Sequence, residues 1–153
     1  MSKTIFDLIG YEEGFKERPY YCSMGYPTVG FGFKIGPKDA PLKFYQFSIT
    51  KEIGTVWLAS ILNILINSMK GYSQIDKAIQ VCNEAQSAVL ISMAYQMGAD
   101  GLSNFKNTLN LIINKDFNGA SKNMLDSLWA KQTPNRAARH AEQLRTGQWC
   151  NLY

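Results

Sequence analysis

Four side chains near the start of the chain are of types that could do chemistry. Glu12 and Glu13 close a first predicted helix, and the chain then enters a segment rich in Gly, Pro, Tyr and Phe. A carboxyl at such a junction overlooks any groove between a helix and a sheet. Partly buried, its pKa rises and it becomes a usable general acid near neutral pH. By position alone, both glutamates fit solvated surface charges equally well. Cys22 lies at a predicted strand end and Thr28 across the following hairpin. Taken singly, these two read as a small buried thiol and an ordinary strand threonine.

The rest of the sequence narrows the choices. There is one histidine, His140, so zinc sites built from several histidines lack ligands, and Ser-His-Asp chemistry would have to run through that residue alone. His140 stands among Arg139, Glu142 and Arg145 in the last predicted helix and reads as a surface residue. Cys22, Cys82 and Cys150 form neither a CxxC pair nor an even disulfide framework, so they read as reduced thiols of a cytosolic product. Gly30-Phe31-Gly32 is not a phosphate loop, because no helix is expected to start there; close backbone packing or approach of a glycan suits it better. The net charge of +4 favours mildly acidic partners and is too weak to announce nucleic-acid binding. With 46% hydrophobic and 18% charged residues there is ample material for a packed core and no disorder signature.

The elements that must hold these side chains follow from the patterning. Residues 3–12 read as a helix with Ile5, Phe6 and Ile9 on its apolar face, Ser2 or Thr4 as cap and Gly14 as stop. Pro19 to Phe47 reads as a small antiparallel sheet, with a turn at Ser23-Met24-Gly25 and an alternating stretch from Thr28 to Phe33; Pro37 and Pro41 close it. Thr50 caps a helix to about Met69. Its uncharged run from Ile53 is broken by Gly54, Ser60, Asn63 and Asn67, and a membrane span needs about 20 predominantly apolar residues. That helix therefore reads as buried along much of its length, a strut between two lobes of a soluble protein. No secretory signal is read in the opening residues, where Asp7, Glu12 and Glu13 intrude.

Asn83-Glu84-Ala85-Gln86 has the form of a capping box, opening a central helix through Val89–Ala94 that Gly98 should stop. Shorter helices are expected around 106–114 and 117–129. Thr133-Pro134 opens a last helix and Gly147 ends it. Trp57, Trp129 and Trp149 read as core anchors. The expected class is α+β, mainly α, in one domain over 1–153. Residues 1–12 form a helix on the helical lobe, 13–49 a small antiparallel β lobe, 50–70 a connecting helix and 71–153 a larger helical lobe, with a cleft between the lobes.

Longer strings add a resemblance. Tyr11-Glu12-Glu13-Gly14-Phe15, Tyr20-Tyr21-Cys22 and Gly25-Tyr26-Pro27-Thr28-Val29-Gly30-Phe31-Gly32 resemble the opening of the T4-type phage lysozymes, glycoside hydrolase family 24. That family spaces a Glu at a helix end, an Asp or Cys, and a Thr as Glu13, Cys22 and Thr28 are spaced here. Ser92 to Gly98 with Gly101 and Phe105 form a second matching block. Trp129, Gln132 to Ala137 and Arg145-Thr146-Gly147 with Trp149 form a third. The similarity covers essentially the whole chain, in the family's order.

The resemblance implies a lysozyme-like fold and a muramidase, a phage endolysin that hydrolyses the β-1,4 bond between N-acetylmuramic acid and N-acetylglucosamine in peptidoglycan. It implies Glu13 as general acid, Cys22 in the position usually held by Asp, and Thr28 helping to hold the attacking water. Arg136 would be the ion partner of Glu13. Lys34, Tyr95, Gln96, Thr108 and Asn123 would contact the glycan. No cofactor or metal is implied. The partners implied are peptidoglycan glycan strands, with no nucleic acid, no stable membrane insertion and a monomeric state. A separate holin would open the inner membrane so that an enzyme made in the host cytoplasm reaches the wall.

Two departures from the family pattern stand out. A thiol is a poorer base than an aspartate at neutral pH but, once ionised, strongly nucleophilic, so water activation and a covalent glycosyl-thiol route both stay open. Phe33 stands where the family usually has His, so lost polar support in the β lobe is expected rather than lost chemistry. Three rivals also stay open: a lytic transglycosylase that needs no second carboxylate, a cysteine amidase or peptidase built on Cys22 with His140, and a wall-binding protein that keeps the shape without catalysis.

Overall fold

A computed structural model describes residues 2–153; Met1, the first residue of the opening segment, lies outside the described residues. Helix α1 (Ile5–Glu13) buries Leu8 and Ile9. At its N-terminus Thr4 donates from both its backbone N–H and its hydroxyl to the Asp7 carboxylate. At its C-terminus Gly14 takes φ +68°, a left-handed value that a side chain resists. The chain therefore turns sharply just after Glu13 and enters the sheet.

That sheet has three antiparallel strands, β1 (Lys16–Tyr21), β2 (Pro27–Gly30) and β3 (Phe33–Lys34), in the order β1-β2-β3. Tyr20 faces Thr28 in the register, and Thr28 faces Lys34. The stretch from Thr28 to Phe33 is not one alternating strand. It folds back at Phe31-Gly32, and all four residues of β2 are buried. Gly30 at φ +65° makes that fold possible, and a Cβ on it would lie 2.7 Å from the Phe33 ring.

Helix α2 (Lys51–Lys70) begins at Thr50, whose Oγ1 accepts from the Ile53 N–H at 3.3 Å. It is the expected strut, but not the expected buried one. Only Gly54, Leu58, Leu62 and Met69 are buried, while Val56 and Ile64 are 69% and 73% exposed. The helix is long and apolar enough to cross a membrane, yet its buried residues recur at near-helical spacing and so form one stripe. Leu58 and Leu62 enter the core of the β lobe, and Met69 enters that of the helical lobe. A strut of about 30 Å, at 1.5 Å per residue, touches each lobe over only part of its length and leaves the opposite face uncovered. Apolar composition alone does not reveal which face has a neighbour. Close packing at Gly54 fixes the strut's start: a Cβ there would meet Phe15 Cε2 at 2.6 Å.

The helical lobe contains α3 (Ser73–Val81), α4 (Glu84–Ser103), α5 (Lys106–Ile113), α6 (Phe117–Leu125), α7 (Leu128–Gln132) and α8 (Pro134–Thr146). The capping box at α4 is present: Gln86 N–H donates to Asn83 Oδ1 at 2.9 Å, and Asn83 N–H to Gln86 Oε1 at 3.0 Å. Gly98 ends the first helical segment as expected, leaving helical geometry at φ +82° and ψ 159°, and a second segment follows directly after this kink, so α4 is two helices joined there. The helix expected over 117–129 is two. Ser127 ends one by donating to the Met124 carbonyl at 2.6 Å and caps the next by accepting from the Ala130 N–H at 3.1 Å. Helix α3 carries no N-terminal signal in the sequence, because Tyr72, the residue at its N-cap, offers no capping side chain. Gly147 ends α8 in the left-handed conformation, while the Thr133 hydroxyl donates back to Trp129 rather than capping. Met93, Leu102, Ile112, Met124 and Leu144 are among the core residues around α4, with Trp129 8% exposed at its edge. Trp57 and Trp149 pack more loosely against the β-lobe core.

The arrangement is therefore mainly helical with a small antiparallel sheet, the α+β class that the sequence predicts. Phe33 explains why the β lobe survives without a histidine there. It is 3% exposed and lies 4.7 Å from the Trp57 ring and 6.1 Å from Phe31, which in turn contacts Phe15 at 4.9 Å. An aromatic cluster replaces polar support.

Candidate active site

Between the lobes lies a cleft of about 570 Å³. Glu13, Cys22, Thr28 and Lys34 line it from one side, Tyr95 and Gln96 from the other. Each position has a local cause. Glu13 is the last residue of α1 and Gly14 turns the chain away beneath it. Cys22 follows β1 directly, in a turn closed by Cys22 N–H to the Tyr26 carbonyl at 3.0 Å and Gly25 N–H to the Cys22 carbonyl at 2.9 Å. Thr28 is on β2, fixed by its register with Tyr20 and Lys34.

Glu13 is held on one oxygen. Arg136 NH1 donates to Oε1 at 2.8 Å, and the side chains of Arg136 and Glu13 are 9% and 21% exposed. Oε2 lies against Gly32: a Cβ built there would be 3.1 Å from it, at a φ of +77°. The second glycine of Gly30-Phe31-Gly32 thus lets the backbone approach the carboxylate. Tyr95 closes the floor by donating to the Phe31 carbonyl at 2.6 Å. Burial, and then the Glu13 charge, push its phenol above the ordinary range.

Cys22 sits among opposing influences. Burial raises its thiol pKa, but the amides of Tyr26 and Met24, the Thr28 hydroxyl and the Lys34 charge outweigh it, so the thiol lies below its ordinary value. In this geometry the Thr28 hydroxyl donates to the Tyr26 carbonyl at 2.8 Å, and must turn to serve a thiolate. Cys82 makes the contrast, since burial alone pushes its thiol up to about 12. Only one of these two cysteines is placed where a thiolate is favoured.

Glu12 is neither solvated nor in the cleft. Its side chain is 3% exposed, and Arg139 grips both carboxylate oxygens at 2.8 Å while the Tyr153 hydroxyl donates at 2.9 Å. Burial raises its pKa, and the Arg139 and Tyr153 hydrogen bonds more than reverse this, leaving it below the ordinary 4.5. Its stabilising contribution is therefore complete above that value and is lost as pH falls through the lower folded value. Arg139→Ala strands a buried carboxylate and should cost about 3 kcal/mol in urea denaturation at pH 7. The loss should shrink as the variant is acidified and the carboxyl takes a proton.

Other expectations come out differently. Gln96 reaches the cleft, but its Oε1 is engaged, accepting from Trp129 Nε1 at 2.8 Å. Thr108 and Asn123 are not in the Glu13 cleft. The Thr108 hydroxyl donates to Asn123 Oδ1 at 2.7 Å in a separate depression of about 360 Å³ with Asn104 and Asp126. Thr108 is buried, because it stands on the inner face of α5 with Leu109 and Ile112. His140 is no surface residue: it is fully buried, and its ring nitrogens meet Ser92 and Tyr153. Its partners leave no contact to Cys22, which removes the Cys22–His140 dyad. Ser92 and His140 are the residues near the site that patterning missed. A lone serine inside the apolar run Val89–Ala94, and a histidine one turn after Arg136, were the available signals.

Residues 10–144 match the family model described as phage lysozyme. Among curated proteins, the chain is 29% identical to "Probable T4-type lysozyme 1" of Dictyostelium discoideum, over 96% of each. It is 28% identical to the "Pre-baseplate central spike protein Gp5" of Enterobacteria phage T4, over 94% of this chain and 28% of that protein. It is also 28% identical to "Peptidoglycan hydrolase gp36" of Pseudomonas phage phiKMV, over 82% of this chain and 13% of that one. The chain thus spans under a third of these two phage proteins.

Proposed function

The chain belongs to the phage lysozyme family, and we propose that it is a peptidoglycan hydrolase of the muramidase type. It would cleave the β-1,4 bond from N-acetylmuramic acid to N-acetylglucosamine. The observation that carries this is one cleft lined by the Glu13 carboxyl, the Cys22 thiol and the Thr28 hydroxyl, with Arg136 gripping the Glu13 oxygen Oε1. The family resemblance and the peptidoglycan-hydrolase relative support the substrate class.

Glu13 delivers its proton to the leaving glycosidic oxygen through Oε2, the oxygen that Arg136 leaves alone. Arg136 fixes the carboxyl through Oε1, so Oε2 is the oxygen placed to give up and regain a proton. Water, oriented by Thr28, adds its oxygen to the anomeric carbon and passes a proton to the Cys22 thiolate. Lys34, exposed and 4.3 Å from the Tyr26 ring centroid, lowers the thiol pKa and is placed to meet wall carboxylates. Lysis of the host after release by a holin belongs to the same reading.

Mass spectrometry of digested peptidoglycan tests it. Each cut should leave a reducing muramic end carrying the elements of one water. An anhydromuramic end would overturn hydrolysis in favour of internal attack by the sugar's own 6-hydroxyl.

A further inference from the structure

A hydrogen-bonded chain runs from Glu13 to the C-terminal tyrosine. Arg136 NH1 donates to Glu13 Oε1 at 2.8 Å and NH2 to Ser92 Oγ at 2.9 Å. Ser92 Oγ lies 2.8 Å from His140 Nε2, and His140 Nδ1 lies 3.2 Å from the Tyr153 hydroxyl, which reaches Glu12 Oε1 at 2.9 Å. Ser92 and His140 are fully buried.

Counting protons fixes the direction of every bond. Arg136 can only donate, so Ser92 Oγ accepts from it and keeps one proton of its own. At the other end Glu12, ionised beside Arg139, can only accept, so Tyr153 spends its single proton there. The Tyr153 oxygen is then left to accept from His140 Nδ1. With Nδ1 donating, Nε2 is the acceptor for Ser92. The opposite tautomer would set two lone pairs against each other at Nδ1, and an imidazolium would press a buried positive charge toward Arg136 and Arg139.

We infer that His140, neutral and protonated at Nδ1, is a positioning residue. By accepting a hydrogen bond from the Ser92 hydroxyl it turns the serine lone pairs to Arg136, which then presents NH1 to Glu13 Oε1 and leaves Oε2 to the cleft. This rests on the reading of Glu13 as proton donor. It goes beyond it by assigning a buried histidine outside the cleft and its tautomer. The surroundings agree. Burial first, then the Arg136 and Arg139 charges, depress the imidazole far below its ordinary value against the opposing pull of Glu12. Arg136 has no second anchor at Nε, which is buried without a protein partner among the described residues, so Ser92 bears its orientation.

Because His140 is the sole histidine, nitrogen-15 NMR of the histidine-labelled protein reports it without assignment. The expected signature is Nδ1 protonated and Nε2 bare, unchanged from about pH 5 to 8, the range in which an unperturbed imidazole would titrate. Protonated Nε2, or an imidazolium in that range, overturns the proposal. Kinetics give a second readout. Ser92→Ala and His140→Leu should each lower kcat about tenfold with KM unchanged, the scale of one hydrogen bond to a charged group. His140→Gln, whose Oε1 can accept from Ser92, should recover most of kcat. Equal kcat in the Leu and Gln variants would overturn the positioning role, and if His140→Leu does not fold, the tautomer decides. Lysis by Glu13→Gln at the wild-type rate would instead defeat the proton-donor reading and leave the tautomer result standing.

Discussion

Glu13→Gln should lower wall-lytic activity about a thousandfold, the middle of the range for losing a positioned general acid, while the fold persists. The amide is nearly isosteric with the carboxyl and can still accept from Arg136 NH1, so the hydrogen bond to the guanidinium survives as the proton at Oε2 disappears. The measurement is turbidity loss of a peptidoglycan suspension beside a thermal melt. Undiminished lysis would mean that the cleft binds wall polymer without this acid. A binder stripped of catalysis predicts the opposite pairing, with no lysis in the wild type and retained pull-down of peptidoglycan in the variant.

The second large effect lies at Cys22. Cys22→Ser should lose about a hundredfold, because a serine hydroxyl does not ionise near neutral pH and supplies neither base nor nucleophile. Cys22→Asp should retain or exceed wild-type activity. The pH profiles separate the two active forms. In the wild type the thiolate fraction, and with it the rate, grows as pH rises through a thiol pKa that Tyr26, Met24, Thr28 and Lys34 hold below the ordinary value. In Cys22→Asp the base is already ionised above about pH 4, so the acid limb of the profile moves down. Equal activity in all three proteins removes Cys22 from the mechanism. NMR of the fresh product anomer then distinguishes the routes. Inversion follows from water activated by the thiolate, and retention from a glycosyl-thiol intermediate.

The site combines a held acid with a less constrained thiol. Glu13 is gripped by Arg136 from behind and by the Gly32 backbone alongside. Cys22 sits at a turn on the rim, where backbone amides and Lys34 act on it. The β lobe that carries Cys22 and Thr28 is tied to the helical lobe by α2, by Tyr95 on the Phe31 carbonyl and by the Arg136–Glu13 pair. Two of these three ties pass through the cleft itself. Substitutions at Tyr95 or Arg136 therefore alter the relation between the lobes as well as the chemistry.

Much of this could be read from residues in order along the chain, wherever the controlling interaction is local. Gly14 and Gly147 end helices because a left-handed residue is needed there, and Thr50 and Asn83 open them because a side chain three residues away can satisfy the orphan amides. Glu13, Cys22 and Thr28 were legible as a site only through the resemblance of the strings around them to the family; a helix end, a turn and a strand then bring the three to one cleft within one short segment. What the patterning misjudged depends on neighbours distant in the chain. Leu58 and Val56 are both apolar residues of α2, but only one has a lobe beside it. Glu12 and Glu13 are adjacent in sequence, but a helix points them about 100° apart, one to Arg139 and Tyr153 and the other to Arg136 and the cleft. Thr108 pairs with Asn123 in a different depression. His140, flanked by charged residues in the chain, is sealed inside by α4 and the C-terminal tail. Burial and hydrogen-bond partnership are properties of the packed whole, and one-dimensional periodicity carries them only where a helix face or strand face has a single possible neighbour.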